Sequence, residues 1–121
     1  MADILSKLVL DGKKKATASL HKIYELDNEK IPEKDEIAIV LNGSNEPVAA
    51  IKNTEVKIVP FTEITEEDAR TEGEGDLSLG YWRNAHIEFF TRECEKYGIK
   101  FSKNMLIVFE KFELIYKKQL T

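Results

Sequence analysis

The chain has 121 residues, 42% hydrophobic and 33% charged, with a formal net charge of -4. That length makes one domain, residues 1–121, able to bury roughly two thirds of its unfolded surface, and the acidic balance excludes a surface that attracts nucleic acid as a whole. Cys94 is the only cysteine, which excludes internal disulfides and thiolate zinc sites and fits a reducing cytosol. No apolar run approaches the ~20 residues needed to span a bilayer. The opening "MADILSKL" lacks a basic region followed by an apolar core, so no signal peptide is expected and the expected compartment is cytoplasmic.

Ile4, Leu5, Leu8 and Val9 recur at helical spacing, which predicts a short helix over residues 3–11, with Gly12 in the left-handed position past its end. From Ala16 the pattern alternates, with Thr17, Ser19 and His21 on one face of a predicted strand and Ala16, Ala18 and Leu20 on the other. "EIAIVL", residues 36–41, reads as a second strand. Asn42-Gly43 then turns the chain into another strand near Pro47, a hairpin signature. The stretch to Pro60 reads as one long bent strand or two. Thr65 is placed to cap a helix whose first turn is acidic and which stops near Gly73. The strongest helix is predicted over 78–97, with Asp76 as a candidate cap and Gly98 closing it. Its stripe holds Trp82, Ala85, His86, Phe89, Phe90, Cys94 and Tyr97. The last strand, 105–116, changes phase at Glu110-Lys111, where a β-bulge would keep both apolar sets facing the core. Short separated strands with helices between them predict an α+β fold, a small mixed β-barrel with helices packed outside.

Charge is uneven along the chain. Residues 7–22 hold Lys7, Lys13, Lys14, Lys15 and Lys22 against Asp11, whereas residues 63–76 hold seven acids against Arg70. The two segments either face each other across a cleft or cap unrelated surfaces. On a regular strand, positions three apart point to opposite faces, so Lys14 and Thr17 share a ligand only if the chain is still turning at Lys14. Gly12 permits that turn. An amine beside a hydroxyl can activate it as a nucleophile when desolvation lowers the amine pKa; the ordinary alternative is a solvated turn. Glycines around Glu74 make a sharply turning loop that can bring a carboxylate to a ligand or simply be solvated. Trp82, His86 and Phe89 read best as a core stripe, with Arg83 one step away from it. Neither His21 nor His86 has a companion at metal-ligand spacing, so no metal and no cofactor is expected.

Taken together, these stretches resemble the ASCH family, whose members have a PUA-like β-barrel. The family hallmark is G-x-K-x-x-T-x-R. Gly12, Lys14 and Thr17 match it, and Ser19 stands where the arginine would be. "TEGEGDLSLGYWRNAHIEFF" is similar to a segment of a bacterial subgroup with an E-G-E-G-D loop and a Y-W-R-x-x-H helix, and the resemblance covers nearly the whole chain. It implies binding of RNA or a modified nucleoside in a cleft made by the hallmark and the acidic loop. Gly12, Lys13, Ser19, Glu74, Trp82 and Arg83 would be its binding residues.

One small branch resembling this chain hydrolyses 4-acetylcytidine. Its catalytic residues fall at Lys14, the base, Thr17, the nucleophile, and Glu72, the proton shuttle. A ribonuclease is a further alternative, with Lys14 in acid/base work and no second residue evident. Ser19 cannot supply the charge of the hallmark arginine, so another donor such as Arg83 is expected to replace it. Relatives in the subgroup also carry an N-terminal segment with a W-x-F-G-type stretch, and without it part of one cleft wall is expected to be missing. The expected partner is RNA or a small nucleoside-like ligand, with no membrane.

Overall fold

The computed structural model describes residues 2–73 and 77–117, with side chains from Ser6 onward. The chain runs α1 (Ala2–Leu10), β1 (Ala16–Leu20), α2 (His21–Leu26), β2 (Ile37–Leu41) and β3 (Pro47–Pro60). A 3-10 turn (Phe61–Glu63), α3 (Glu66–Glu72), α4 (Leu79–Lys96) and β4 (Leu106–Lys117) follow. The four strands form one antiparallel sheet in the order β1-β4-β3-β2. It curls into a half-barrel of the PUA-like kind with helices against it. No described helix is long and apolar enough to cross a membrane.

Alternation along β1 divides the molecule into two faces. Ala16, Ala18 and Leu20 are buried on the face covered by α3 and α4, in a core with Phe61, Ile64, Trp82, Phe90, Ile107 and Phe109. Side chains as small as Ala16 and Ala18 let helices approach the strand closely. Thr17 points the other way, opposite Glu110 in the register with β4.

The predicted turns and caps carry much of the architecture. Gly12 ends α1 at φ 74, the hairpin joins β2 to β3, and Gly98 follows α4 at φ 68. At α3, the Thr65 hydroxyl accepts from the Asp68 N–H while the Asp68 carboxylate accepts from the Thr65 N–H, a reciprocal capping box. Ser78 caps α4 by accepting from the Tyr81 N–H; Asp76, the expected cap, lies outside the described residues.

Three expectations are corrected. The first strand stops at Leu20, and His21 opens the six-residue helix α2 instead of continuing the strand. On α4, Trp82, His86, Phe90 and Cys94 are buried, but Phe89 and Tyr97 are exposed, because the buried line follows every fourth residue and both lie to one side of it. The bulge near Glu110-Lys111 is in the neighbouring strand: Thr54 of β3 is the extra residue between pairs Asn53–Phe112 and Glu55–Lys111, and its hydroxyl donates to the Lys111 carbonyl. β4 is therefore regular at this point. Phe109 stays in the helix-covered core, and Phe112 turns to the opposite face beside Val9.

Candidate functional site

The segment between α1 and β1 is held from three sides. The N–H groups of Lys13 and Lys14 both donate to the Leu8 carbonyl at the end of α1, at 2.9 and 3.0 Å. The Lys15 N–H donates to the Thr71 carbonyl of α3 at 2.9 Å, and the Lys15 carbonyl accepts from Phe112 of β4 at 2.9 Å. Gly73 allows the approach to α3. It has φ +77, and a Cβ there would stand 1.9 Å from the Lys13 carbonyl oxygen. Only glycine fits both constraints.

This clamp carries Lys14 inward, where it is 8% exposed, with Nζ 3.5 Å from Oε1 of Glu72, itself 2% exposed. Two groups from α4 complete the surroundings of Glu72. The Trp82 indole N–H donates to Oε2, and His86 Nε2 lies 3.0 Å from Oε1. His86 also places Nδ1 2.8 Å from the Trp82 carbonyl oxygen and stacks on the indole with ring centroids 4.1 Å apart. Burial pushes the Glu72 carboxyl up, but the His86 hydrogen bond and charge, the Lys14 charge and the Trp82 hydrogen bond outweigh it. The carboxyl is held below the usual carboxylate range.

Lys14 and Thr17 open on one cavity of about 270 Å³, walled by Ser6, Val9, Val40, Leu41, Ile51 and Phe112. A hollow of about 210 Å³ shares Val9, Lys14 and Phe112 and adds Gly12, Lys15, Glu113 and Leu114. An apolar wall with a few converging hydroxyls and one cation is the usual make-up of a small-ligand pocket.

A family model for the ASCH domain matches residues 1–116. The chain belongs to the ASCH domain family. It is 37% identical to an ASCH domain from Lactobacillus crispatus whose crystal structure superposes with a TM-score of 0.89, covering 93% of this chain and 71% of that one. Protein EF3133 from Enterococcus faecalis is 35% identical, with a TM-score of 0.89 over 95% of this chain and 69% of its own. The hypothetical protein PH0355, 18% identical with a TM-score of 0.55, shares the fold. No curated protein matches the chain.

In this ASCH chain the hallmark residues do not all meet. Lys14 and Thr17 line the cavity, and Glu72 stands behind Lys14 in contact with its amine. Gly12 borders the adjoining hollow, while Lys13 is exposed. Ser19 exchanges a 2.8 Å hydrogen bond with the Tyr24 hydroxyl and lines a different cavity between β1, α2 and α4. Trp82 is buried against Glu72. Arg83 is exposed in a separate groove with Phe61, Thr62, Asn84, Ile87 and Lys103. Glu74 lies outside the described residues. Among the described residues no group of His, Cys, Asp and Glu could hold a metal.

The residue that sequence reasoning passed over is His86. Its place four after Trp82 made it a stripe residue, and its partner Glu72 lies on α3, which no periodicity links to α4.

Proposed function

We propose that this ASCH chain binds a small polar, nucleoside-like ligand, free or as one unit of a short RNA, in the cavity shared by Lys14 and Thr17. The observation that carries the reading is the buried Lys14 amine and the Thr17 hydroxyl bordering the same hollow of about 270 Å³. Pockets for drug-sized molecules run from about 300 Å³ upward, so this one suits a single base or nucleoside. Phe112, Val40 and Ile51 offer an apolar wall to a base, and Ser6, Thr17 and Lys14 offer polar groups to its edge. The net charge of -4 disfavours long RNA, which is held through many phosphates.

The shared cavity also favours a second reading, hydrolysis of a 4-acetylcytidine-like amide. Thr17 Oγ1 would attack the amide carbonyl while Lys14 Nζ takes the hydroxyl proton. That proton would pass to the exocyclic nitrogen as its bond to the acyl carbon breaks, releasing cytidine, and water would then cleave the acyl–threonine ester to acetate. Glu72, with Oε1 3.5 Å from the Lys14 amine, would help move that proton to the leaving nitrogen.

Thermal shift with a panel of modified nucleosides tests binding, since a ligand taken up by the folded chain raises Tm. A rise in the natural chain that vanishes in Lys14→Ala is the expected result; an equal rise in both would place the ligand elsewhere. Acetate release from 4-acetylcytidine tests hydrolysis. Lys14→Ala and Thr17→Ala should each abolish it, and unchanged turnover in either removes that mechanism. Titration with single-stranded and hairpin RNA at two salt concentrations tests the RNA form, for which salt-sensitive affinity is expected.

A further inference from the structure

Beside the 3-10 turn, α4 walls a groove of about 320 Å³, lined by Phe61, Thr62, Arg83, Asn84, Ile87 and Lys103. Arg83 and Ile87 stand one turn apart on α4 with Asn84 beside them, so the helix offers a guanidinium, an amide and an apolar side chain to one hollow. The rest of the lining is fixed by backbone. The Phe61 N–H donates to the Met105 carbonyl at 2.9 Å, which ties the 3-10 turn to the turn that carries Lys103. That second turn is closed by the Met105 N–H on the Ser102 carbonyl at 3.0 Å and by the Asn104 N–H on the Ser102 hydroxyl at 3.2 Å. Phe61 is buried and meets Phe101 edge to face with centroids 5.3 Å apart, so the floor is apolar and packed from behind.

Charge sets this groove apart. Acids outnumber lysines and arginines by 22 to 18 in the chain, and Lys22, Lys30, Lys52, Lys57, Lys96 and Lys111 each stand within 3.8 Å of a carboxylate. Arg83 and Lys103 make no ion pair among the described residues, yet they line one groove, and no carboxylate lines it with them. Two like charges held towards a common hollow repel each other until an anion enters. The cavity between β1, α2 and α4 has the reverse make-up: Glu29 and Glu93 line it with no basic residue. Charge is thus sorted between two hollows on one helix.

We propose that the Arg83 groove is a second binding site, for a small organic anion. Its phosphate or carboxylate group sits between the Arg83 guanidinium and the Lys103 ammonium, and its apolar body lies on Ile87 and Phe61. A guanidinium meets such a head group with two parallel N–H bonds, and an ammonium adds a point charge. The Thr62 hydroxyl and the Asn84 amide can donate to the oxygens that remain. At about 320 Å³ the groove clears the lower end of small-molecule pockets, about 300 Å³. A neutral nucleoside offers nothing to the two charges. This site is therefore independent of the Lys14–Thr17 cavity, and it stands or falls apart from the function proposed above.

Phenyl phosphate, benzoate, inorganic phosphate and phenol are each titrated into the 15N-labelled chain, with backbone amide shifts as the readout. Saturable shifts at residues 61–62, 83–87 and 103 are expected with phenyl phosphate or benzoate, and the tighter of the two names the head group. Inorganic phosphate should bind more weakly, because it leaves the apolar floor uncovered. Phenol should not bind, because it brings no charge at neutral pH. Arg83→Gln should weaken the better ligand by about tenfold or more, the usual worth of a hydrogen bond to a charged group, and Lys103→Gln should weaken it by less. Both side chains are exposed, so neither variant puts folding at risk. Failure of both phenyl phosphate and benzoate to saturate, equal affinity in Arg83→Gln, or phenol binding as tightly overturns the proposal. So do shifts confined to residues 12–17 and 40–41, which would put the anion at Lys14. Shifts of equal size at Lys34 and Lys100 also overturn it, since they would mark ions gathering at any exposed base.

Discussion

The two ends of α3 each bury a carboxylate against a lysine, and they do so on opposite terms. At the first turn, Asp68 accepts from the Thr65 N–H and pairs with Lys57 Nζ at 2.8 Å. There the helix dipole favours a negative charge, and Lys57 is 29% exposed, so its amine remains partly hydrated. Burial raises the Asp68 carboxyl, and the Lys57 and Thr65 hydrogen bonds more than reverse that, leaving it low. At the last turn Glu72 sits where the dipole disfavours an anion. It requires three donors, Lys14, Trp82 and His86, from two other parts of the chain. The first carboxylate is explained by the helix it starts. The second is met by partners that come from outside its own helix, beside a cavity that Lys14 lines.

The largest expected effect separates these two ends. Glu72→Ala removes the carboxylate that the buried Lys14, the Trp82 indole and His86 share. Breaking a buried ion pair costs about 3–5 kcal/mol, and denaturant unfolding should show a loss in that range. Asp68→Ala should cost less, about 1–2 kcal/mol for a lost cap, because Lys57 can turn to water. An equal cost at both ends would break the comparison.

Gly73→Ala should fall between them. It places a Cβ on the Lys13 carbonyl at a positive φ, which costs at least about 1 kcal/mol. It should also weaken nucleoside uptake by pushing Lys14 away from α3. Stability lost with the Lys14 response to nucleosides intact would argue against the clamp.

Both carboxyls lie low in the folded chain. Each therefore adds stability above the range where unfolded carboxyls titrate, and that stability drains away as pH falls through the folded values. A Tm profile on the acid side should be shallower in Asp68→Asn and in Glu72→Gln than in the natural chain, and unchanged slopes would contradict the sign. The smallest effect belongs to Glu110. Burial raises its carboxyl against the lowering hydrogen bond from Asn53, and the charge of Glu36 raises it further. Glu110→Gln should gain about 0.5 kcal/mol at neutral pH, with the gain shrinking in acid as the natural glutamate protonates.

Local signals made much of the fold legible in advance. Gly12, Asn42-Gly43, Thr65, Gly73 and Gly98 each mark a turn or cap through their own backbone chemistry, and each falls at the expected junction. α2 was not legible, because six residues are too few to show a helical period and Ala16–His21 alternates like a strand. The phase change in β4 was visible, but the sequence of one strand cannot say that its neighbour holds the extra residue at Thr54. Lys14 and Thr17 were singled out by likeness to the ASCH hallmark, supported by the turn that Gly12 permits, and Glu72 by likeness to the branch that hydrolyses 4-acetylcytidine. Periodicity alone would have sent Lys14 and Thr17 to opposite faces. His86 could not be assigned from the chain, because its meaning depends on a carboxylate fourteen residues away.

Adding 4-acetylcytidine to the 15N-labelled chain and mapping which backbone amides shift gives the most direct reading of where a nucleoside lodges. The largest shifts should cluster at residues 12–17, 40–41, 51 and 112, around the Lys14 amine and the Thr17 hydroxyl. Shifts gathered instead along the Arg83 groove or the α2 cavity, or none at saturating nucleoside, would contradict it.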